Sequence, residues 1–280
     1  MKSTASLEQT RRLTTILTYA ALIIGAIIMI FPFVWMILTS LKTVPESMEV
    51  PPTIFPKEMV TGNFADAMKS LPFLKLYLNT GLMIFFRVIC AVAFSSMAGY
   101  AFAMLEFRGK KLLFGIVLVQ MSLPSQIFII PQYQMVAKMG MANSIFALVF
   151  PGIVSAFGVF FLRQTYMGIP KEIGEAAYLD GCNQWQTFYK VMAPLTGTSV
   201  AALTIFTAVF AYGDLMWPQI VNNDVTKFTL SAGLATLRGM NTTDFPMLMA
   251  GSLLAMLPMI ILYLIFQRQF VEGIAGTGGK

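Results

Sequence analysis

The sequence has no histidine. Zinc sites built on imidazole, and nucleophilic dyads or triads that use histidine as base, are therefore excluded from this chain. Cysteine is almost as scarce, with only Cys90 and Cys182. Two thiols cannot form a disulfide framework. They fall in or beside different apolar runs with no ligand spacing between them, so both read as structural. Charge is short as well: 11% of the 280 residues are charged, against about a quarter in a soluble domain. The net charge of +6 is not gathered into a basic run interleaved with aromatics, which argues against a nucleic-acid surface. The apolar runs hold no cluster of polar groups of the kind a membrane-embedded enzyme needs. There is no G-x-x-x-x-G-K-[ST] loop to cradle phosphates. The run Gly276-Thr277-Gly278-Gly279-Lys280 is glycine-rich but lacks the Ser/Thr and the strand–loop–helix setting, and reads as a flexible tail.

What is present is apolar. Hydrophobic residues make up 57% of the chain, an amount of surface that only a bilayer suits. Six stretches, roughly 14–40, 77–104, 112–131, 144–162, 197–218 and 247–267, are long enough to cross about 30 Å of hydrocarbon. The expected fold is all-α, a single polytopic membrane domain over 1–280. The first stretch is too long for a signal peptide and no A-x-A site follows it, so it reads as a retained span. Pro32, Pro124, Pro151 and Pro258 lie inside spans, either as packing kinks or as bends that shape a pathway.

Lysine and arginine set the orientation. With the N-terminus inside, eleven fall on the cytoplasmic side and seven outside, and Arg87 within a span completes the 19. The short loop EFRGKK (106–111) carries three of the cytoplasmic ones. The expectation is a multi-pass protein of the cytoplasmic (inner) membrane, with cytoplasmic residues 1–13 and 268–280. The outer segments are then about 41–76, 132–143 and 219–246. Four prolines (Pro45, Pro51, Pro52 and Pro56) make the first of them irregular or built of short elements.

A polar island, EIGEAAYLDGCNQWQTFYKVMAPL from Glu172 to Leu195, interrupts the apolar pattern on the cytoplasmic side. Pro170 suits the first turn of a helix over Lys171–Leu179. Asp180-Gly181 stops that helix, because glycine tolerates positive φ. Asn183 and Gln186 form a capping box for a second helix. Trp185, Phe188, Tyr189 and Met192 then fall on one stripe, and Pro194 precedes the next span. Such a helix pair either rests on headgroups or docks a soluble partner. Ala176-Ala177 beside Glu175 favours docking, since small residues let another backbone approach.

The spacing Glu175-Ala176-Ala177, Asp180-Gly181, Val191, Pro194 resembles the EAA loop of ABC-importer permeases. The residue after the glycine, usually small, is Cys182 here. Further stretches in the same order resemble the carbohydrate subfamily. They are Ala98-Gly99-Tyr100-Ala101-Phe102 with Phe107-Arg108-Gly109-Lys110, Leu123-Pro124 with Ile130-Pro131, and Phe161-Leu162-Arg163-Gln164 with Ile169-Pro170-Lys171-Glu172. Asp214 with Leu215-Met216-Trp217-Pro218, Thr229 to Leu234, and Gln267 to Gly273 continue the series. The six-span length is similar to the smaller permease of maltose-type systems.

The resemblance implies half of a translocation pathway for a sugar or oligosaccharide, worked by alternating access. It implies a second permease subunit in a heterodimer, two ATP-binding subunits that carry ATP and Mg, and a soluble substrate-binding protein. The chain itself would bind no cofactor or metal and hold no catalytic residue; its other contact is membrane lipid. The coupling set becomes Glu172, Glu175, Ala176, Ala177, Asp180 and Gly181, within a cytoplasmic loop over 171–194. Arg87 and Asp214 are ionisable residues in or near spans. They either pair or snorkel, or else line the pathway, with Tyr212 and Trp217 offering flat faces to a sugar ring. An acid matching Asp214 is frequent in the carbohydrate permeases, whereas Arg87 is not a family hallmark and reads as a contact to an anionic substrate, a lipid or another helix. The outer loop resembles one that reaches toward the binding protein, through Asn222, Asn223, Asp224, Asn241 and Asp244, or is simply solvated. The competing reading is an ion-coupled secondary transporter acting alone, which would show inverted repeats and a midplane ion site.

Overall fold

Prolines within the apolar runs act in two ways. Pro32 and Pro258 sit inside unbroken helices, whereas Pro124 and Pro151 mark places where a membrane helix changes direction. The structure is a computed structural model that describes residues 4–239 and 243–275; Asn241 and the tail Gly276 to Lys280 lie outside the described residues. Every regular element among them is helical. In chain order they are α1 (Thr4–Ser40), α2 (Val44–Ser47), α3 (Gly62–Ser70), α4 (Phe73–Met104), α5 (Lys110–Ser122), α6 (Ile129–Lys138) and α7 (Ile145–Val149). There follow α8 (Ala156–Met167), α9 (Lys171–Leu179), α10 (Gln184–Gln186), α11 (Gly197–Tyr212), α12 (Met216–Val221), α13 (Leu230–Ala235) and α14 (Phe245–Ala275).

Four segments cross a membrane's thickness as continuous helices: Arg11–Ser40, Phe73–Met104, Gln184–Gly213 and Phe245–Ile265. Two more are bent pairs, Lys110–Ser122 with Ser125–Lys138 at 105° and Ile145–Gly152 with Ala156–Met167 at 45°. With each bent pair counted as one span the total is the expected six, but three of the expected spans are corrected. The stretch 112–131 is not one straight span. Leu123, which precedes Pro124, is pushed to φ −89°, ψ 137°, because the proline ring disfavours the helical region for its predecessor. The expected loop 132–143 is largely α6. The stretch 144–162 runs on to Met167 and is broken after Pro151. The fifth span begins at Gln184 rather than 197 and ends at Gly213 rather than 218. The second helix of the polar island is therefore the root of a span, not a separate surface helix. A π segment (Thr187–Met192), with Ala193 N–H donating to Phe188 O at 2.8 Å, and a 3₁₀ turn over Pro194–Thr196 carry the helix past Pro194.

The chain forms two compact units, one comprising residues up to Ser70 with Leu237–Met256, the other Leu71–Thr236 with the residues from Leu257 on. In the first, the proline-rich segment after α1 is organised by polar side chains. Asn63 Nδ2 donates to the carbonyls of Ser40 (2.8 Å) and Lys42 (2.9 Å). Glu46, 4% exposed, accepts from the Thr53 hydroxyl at 2.8 Å and the Lys57 N–H at 2.9 Å. Burial pushes the Glu46 carboxyl up, but these two hydrogen bonds and the charges of Lys42 and Lys57 outweigh it and hold the group below the usual carboxylate range. Lys42 donates to Thr53 O and lies 4.8 Å from the Trp35 ring centroid.

The second unit is built on α4. Gly99 lets α8 approach closely: a Cβ there would stand 2.9 Å from Arg163 N. Ser96 and Tyr166 share a hydrogen bond of 2.7 Å beside it. One apolar cluster gathers Tyr100, Leu162, Tyr166, Met192 and Leu203, and another gathers Met83, Val136, Ala147, Leu148, Ala211, Trp217 and Val221. Met83 and Tyr100 are roughly 25 Å apart along α4 at 1.5 Å per residue, so one helix supports both ends of this unit.

Candidate coupling surface and an intramembrane clamp

α9 is the solvent-facing helix that the polar island called for. Pro170 stands at its N-cap, one residue earlier than expected, and Glu172 occupies the first turn, where the helix dipole favours an acid. Its end is a Schellman motif: Cys182 N–H donates to Ala177 O (3.0 Å), Gly181 N–H donates to Tyr178 O (3.0 Å), and Gly181 has φ +84°. Asn183 and Gln186 then exchange both capping-box bonds, at 2.8 and 2.9 Å. Glu172, Glu175, Ala176, Asp180 and Gly181 are exposed. Ala177 is 6% exposed and faces its own chain, so it seats α9 and is not free to fill a partner's cleft. Leu179, absent from the expected set, is 89% exposed. The signal for it was an apolar residue placed one position before the helix cap.

α9 packs against the π segment. From there a line of aromatic contacts runs inward: Phe188 to Tyr100 at 5.1 Å and Tyr100 to Tyr166 at 5.6 Å between centroids. Three elements are thereby joined, the root of the fifth span, α4 and α8. The expected stripe divides: Met192 is buried and Phe188 half-buried, while Trp185 and Tyr189 remain exposed.

At the other cluster the proline break meets the two ionisable residues. Pro151 has no N–H to give to Ala147 O four residues back. That carbonyl accepts instead from Trp217 Nε1 at 2.8 Å. The next carbonyl, Leu148 O, accepts from Arg87 Nε at 2.9 Å and also from Nη2. Arg87 Nη1 reaches Asp214 Oδ2 at 2.9 Å. The Asp214 carbonyl accepts from Ser231 Oγ at 2.6 Å. Gly152 makes room for the guanidinium stem, since a Cβ there would come within 2.6 Å of Arg87 Cδ. Arg87 and Trp217 are buried at 7% and 4% exposure, and Tyr212 and Asp214 are half-buried. The four residues expected to line a pathway are thus divided. Arg87 and Trp217 hold the broken helix, Asp214 neutralises Arg87, and Tyr212 stands just before the break that holds Asp214.

The outer-loop residues are similarly divided. Asn222 is 2% exposed and donates to Lys227 O at 2.7 Å, so it closes its own turn and does not reach outward. Asp224 accepts from the Thr226 N–H and hydroxyl, both at 2.8 Å. The Thr226 hydroxyl, then its N–H, hold the Asp224 carboxyl below its usual range, against some desolvation. Asp244 caps α14 through Met247 N–H at 2.9 Å. Asn223 is exposed. Two polar residues of α4 that the sequence reading passed over fasten this loop. Asn79 Nδ2 donates to Thr226 O and Phe228 O, both at 3.0 Å, and Thr80 Oγ1 accepts from Leu230 N–H at 2.9 Å.

Helices of membrane-crossing length, with the exposed helix α9 between spans four and five, define a polytopic membrane protein. Residues 60–275 match the family described as binding-protein-dependent transport system inner membrane component, and the chain belongs to it. It is similar to the arabinooligosaccharides transport system permease protein AraQ of Halalkalibacterium halodurans, 34% identical over 91% of this chain and 92% of that one. It is also similar to the lactose transport system permease protein LacG of Rhizobium radiobacter (27%, 95% and 97%). The sn-glycerol-3-phosphate permease protein UgpE of Salmonella typhi is 28% identical over 96% and 99%. The fold matches a chain in the crystal structure of a bacterial ABC transporter involved in the import of the acidic polysaccharide alginate, with TM-score 0.78 at 20% identity over 92% and 97%. The chain is a permease subunit of an ABC importer, and the reading as an ion-coupled carrier acting alone falls away.

Proposed function

We propose that this permease forms half of a carbohydrate pathway and takes its energy through the exposed face of α9. The carrying observation is α9 itself: a nine-residue helix with exposed Glu172, Glu175, Ala176 and Leu179, seated by buried Ala177 on the root of a span. In this reading the N- and C-termini are cytoplasmic, and ATP and Mg are held by two ATP-binding subunits. A second permease completes the pathway in a heterodimer, and a soluble binding protein delivers the ligand outside. An 18-residue apolar window of the Arg11–Ser40 span holds no buried residue, and in this reading it faces lipid and the second permease.

A ligand-free cycle can shift the chain between access states only by making different contacts in each. α9 supplies that contact, with Glu175 meeting a cation of the ATP-binding subunit. In this reading Tyr212 and Asp214 face the pathway with Arg87 and Trp217 behind them, and exposed Asn223 meets the binding protein. A sugar substrate is supported by the relatives, two named for oligosaccharides or lactose and one for sn-glycerol 3-phosphate. The test is co-purification with the ATP-binding subunit, followed by uptake of the sugar that the cognate binding protein retains. Glu175→Lys is expected to lose both at normal membrane levels. Uptake that survives an ATPase-dead partner would sink the proposal.

A further inference from the structure

The end of α4 and residues Lys110 to Leu118 of α5 line, with Arg163 of α8, an open pocket of about 710 Å³. Its wall has two chemistries. Phe102, Phe114 and Leu118 make an apolar side, with the two rings 5.5 Å apart. Lys110, Lys111 and Arg163 make a cationic rim. Among the described residues the only acid lining it is Glu106, whose carboxylate is taken by Lys110 at 3.0 Å. Arg163 is half-buried, its guanidinium 4.0 Å from the Phe114 centroid, and Nε donates to Phe102 O at 3.2 Å. Among the described residues neither Arg163 nor Lys111 has an ion pair.

An unneutralised guanidinium half out of water is costly beside hydrocarbon. The lysines add to that cost, because they stand in the first turn of α5, where the helix dipole is already positive. A bound anion would relieve Arg163 and Lys111, the two that have no ion pair among the described residues. The chemistry of that anion follows from the apolar wall. Leu118 lies about 11 Å deeper along α5 than Lys111, so one occupant must place negative charge at the rim and hydrocarbon below it. α5 has no buried residue, and its outward face is open to such a molecule.

We infer that this pocket holds an anionic phospholipid, its phosphate on Arg163 and Lys111 and an acyl chain along Phe102, Phe114 and Leu118. The lipid would wedge the loop 105–109 and fix the ends of the second and third spans against α8.

The test uses the assembled transporter in vesicles, with Leu118→Trp as reporter and the complex without it as background. Brominated-chain phosphatidylglycerol is compared with brominated-chain phosphatidylcholine. Quenching is expected to favour phosphatidylglycerol by at least about ten-fold in apparent affinity, on roughly five-fold per engaged cation. Arg163→Gln and, separately, Lys111→Gln should each reduce that preference, and Arg163→Lys should restore part of it. Lys111 is exposed, so its variant keeps the test open if Arg163→Gln does not fold. Equal quenching by the two lipids overturns the inference. So does quenching by neither, which would mean that another polypeptide covers the pocket. Protection by inorganic phosphate at millimolar concentration, equal to that by unbrominated phosphatidylglycerol, would reassign the site to a free anion and overturn it too.

Discussion

Arg87 and Asp214 stand 127 residues apart in sequence and 2.9 Å apart in space. The pair does more than cancel charge, because the same guanidinium also holds Leu148 O at the proline break. Removing one member of a buried pair strands the other, at a cost of about 3–5 kcal/mol, whereas replacing both with apolar residues is far milder. Asp214→Ala and Arg87→Ala should each lower the melting temperature of the purified transporter sharply. The double variant Arg87→Met/Asp214→Leu should recover part of the loss. Additive single effects would show that the two do not act as a unit.

Trp217 and Pro151 make a second coupled pair. Trp217→Phe keeps the ring in its cluster but removes the N–H that satisfies Ala147 O, leaving a buried carbonyl unpaired at about 1–3 kcal/mol. Pro151→Ala restores a backbone N–H at the position that would serve that carbonyl. In the Pro151→Ala background, Trp217→Phe should therefore cost clearly less. An unchanged cost in thermal unfolding would mean that Trp217 matters only by its bulk.

These two pairs explain what the sequence could and could not yield. The helix Lys171–Leu179, its stop at Gly181 and the capping box at Asn183 were legible because each is decided by neighbours within six residues. The four continuous spans followed from apolar length. The breaks did not. A proline in an apolar run reads the same whether the helix continues, as at Pro32 and Pro258, or turns, as at Pro124 and Pro151. At Pro151 the outcome is held by side chains far away in the chain. Asn222 and Asp224 misled for the converse reason. Polar residues in an outer loop suggest reach, yet Asn222 is buried and Asp224 spends one carboxylate oxygen on Thr226 in its own turn. The pairing of Arg87 with Asp214 was one of two open readings, and only the fold could choose between them.

Asp224 gives a pH-dependent prediction of definite sign. Its carboxyl is depressed by the Thr226 hydroxyl and N–H, so the stabilisation it brings is present above the unfolded carboxylate pKa, about 3.9. It is lost as pH falls through the lower folded value. Hydrogen exchange at Thr226, corrected for intrinsic rates, should therefore show uniform protection between about pH 5 and 8, where the carboxylate is ionised in folded and unfolded chains alike. Protection should fall below about pH 4. Asp224→Asn should remove that acid dependence. Protection that already declines near neutrality would assign it to another group.

The coupling proposal separates docking from transmission, and different residues carry each. Glu175→Lys reverses a charge on the exposed face of α9 and should abolish uptake by losing the ATP-binding subunit, with membrane levels intact. Gly181→Val acts on the same helix from its end. A side chain at φ +84° costs about 1–2 kcal/mol, enough to reopen the Schellman turn and shift the face that docks. Phe188→Ala leaves that face alone but opens the contact with Tyr100 at 5.1 Å. Its expected signature is different: the ATP-binding subunit still co-purifies and ATP is hydrolysed, while uptake per ATP falls. A Tyr100→Ala variant, which also loses the Tyr166 contact at 5.6 Å, should show the same split, and the double variant little more than Tyr100→Ala alone, because the Phe188 contact is then already open. If Phe188→Ala instead lost the ATP-binding subunit along with uptake, the aromatic line would belong to docking, and movement of the spans would have to be driven from elsewhere on α9.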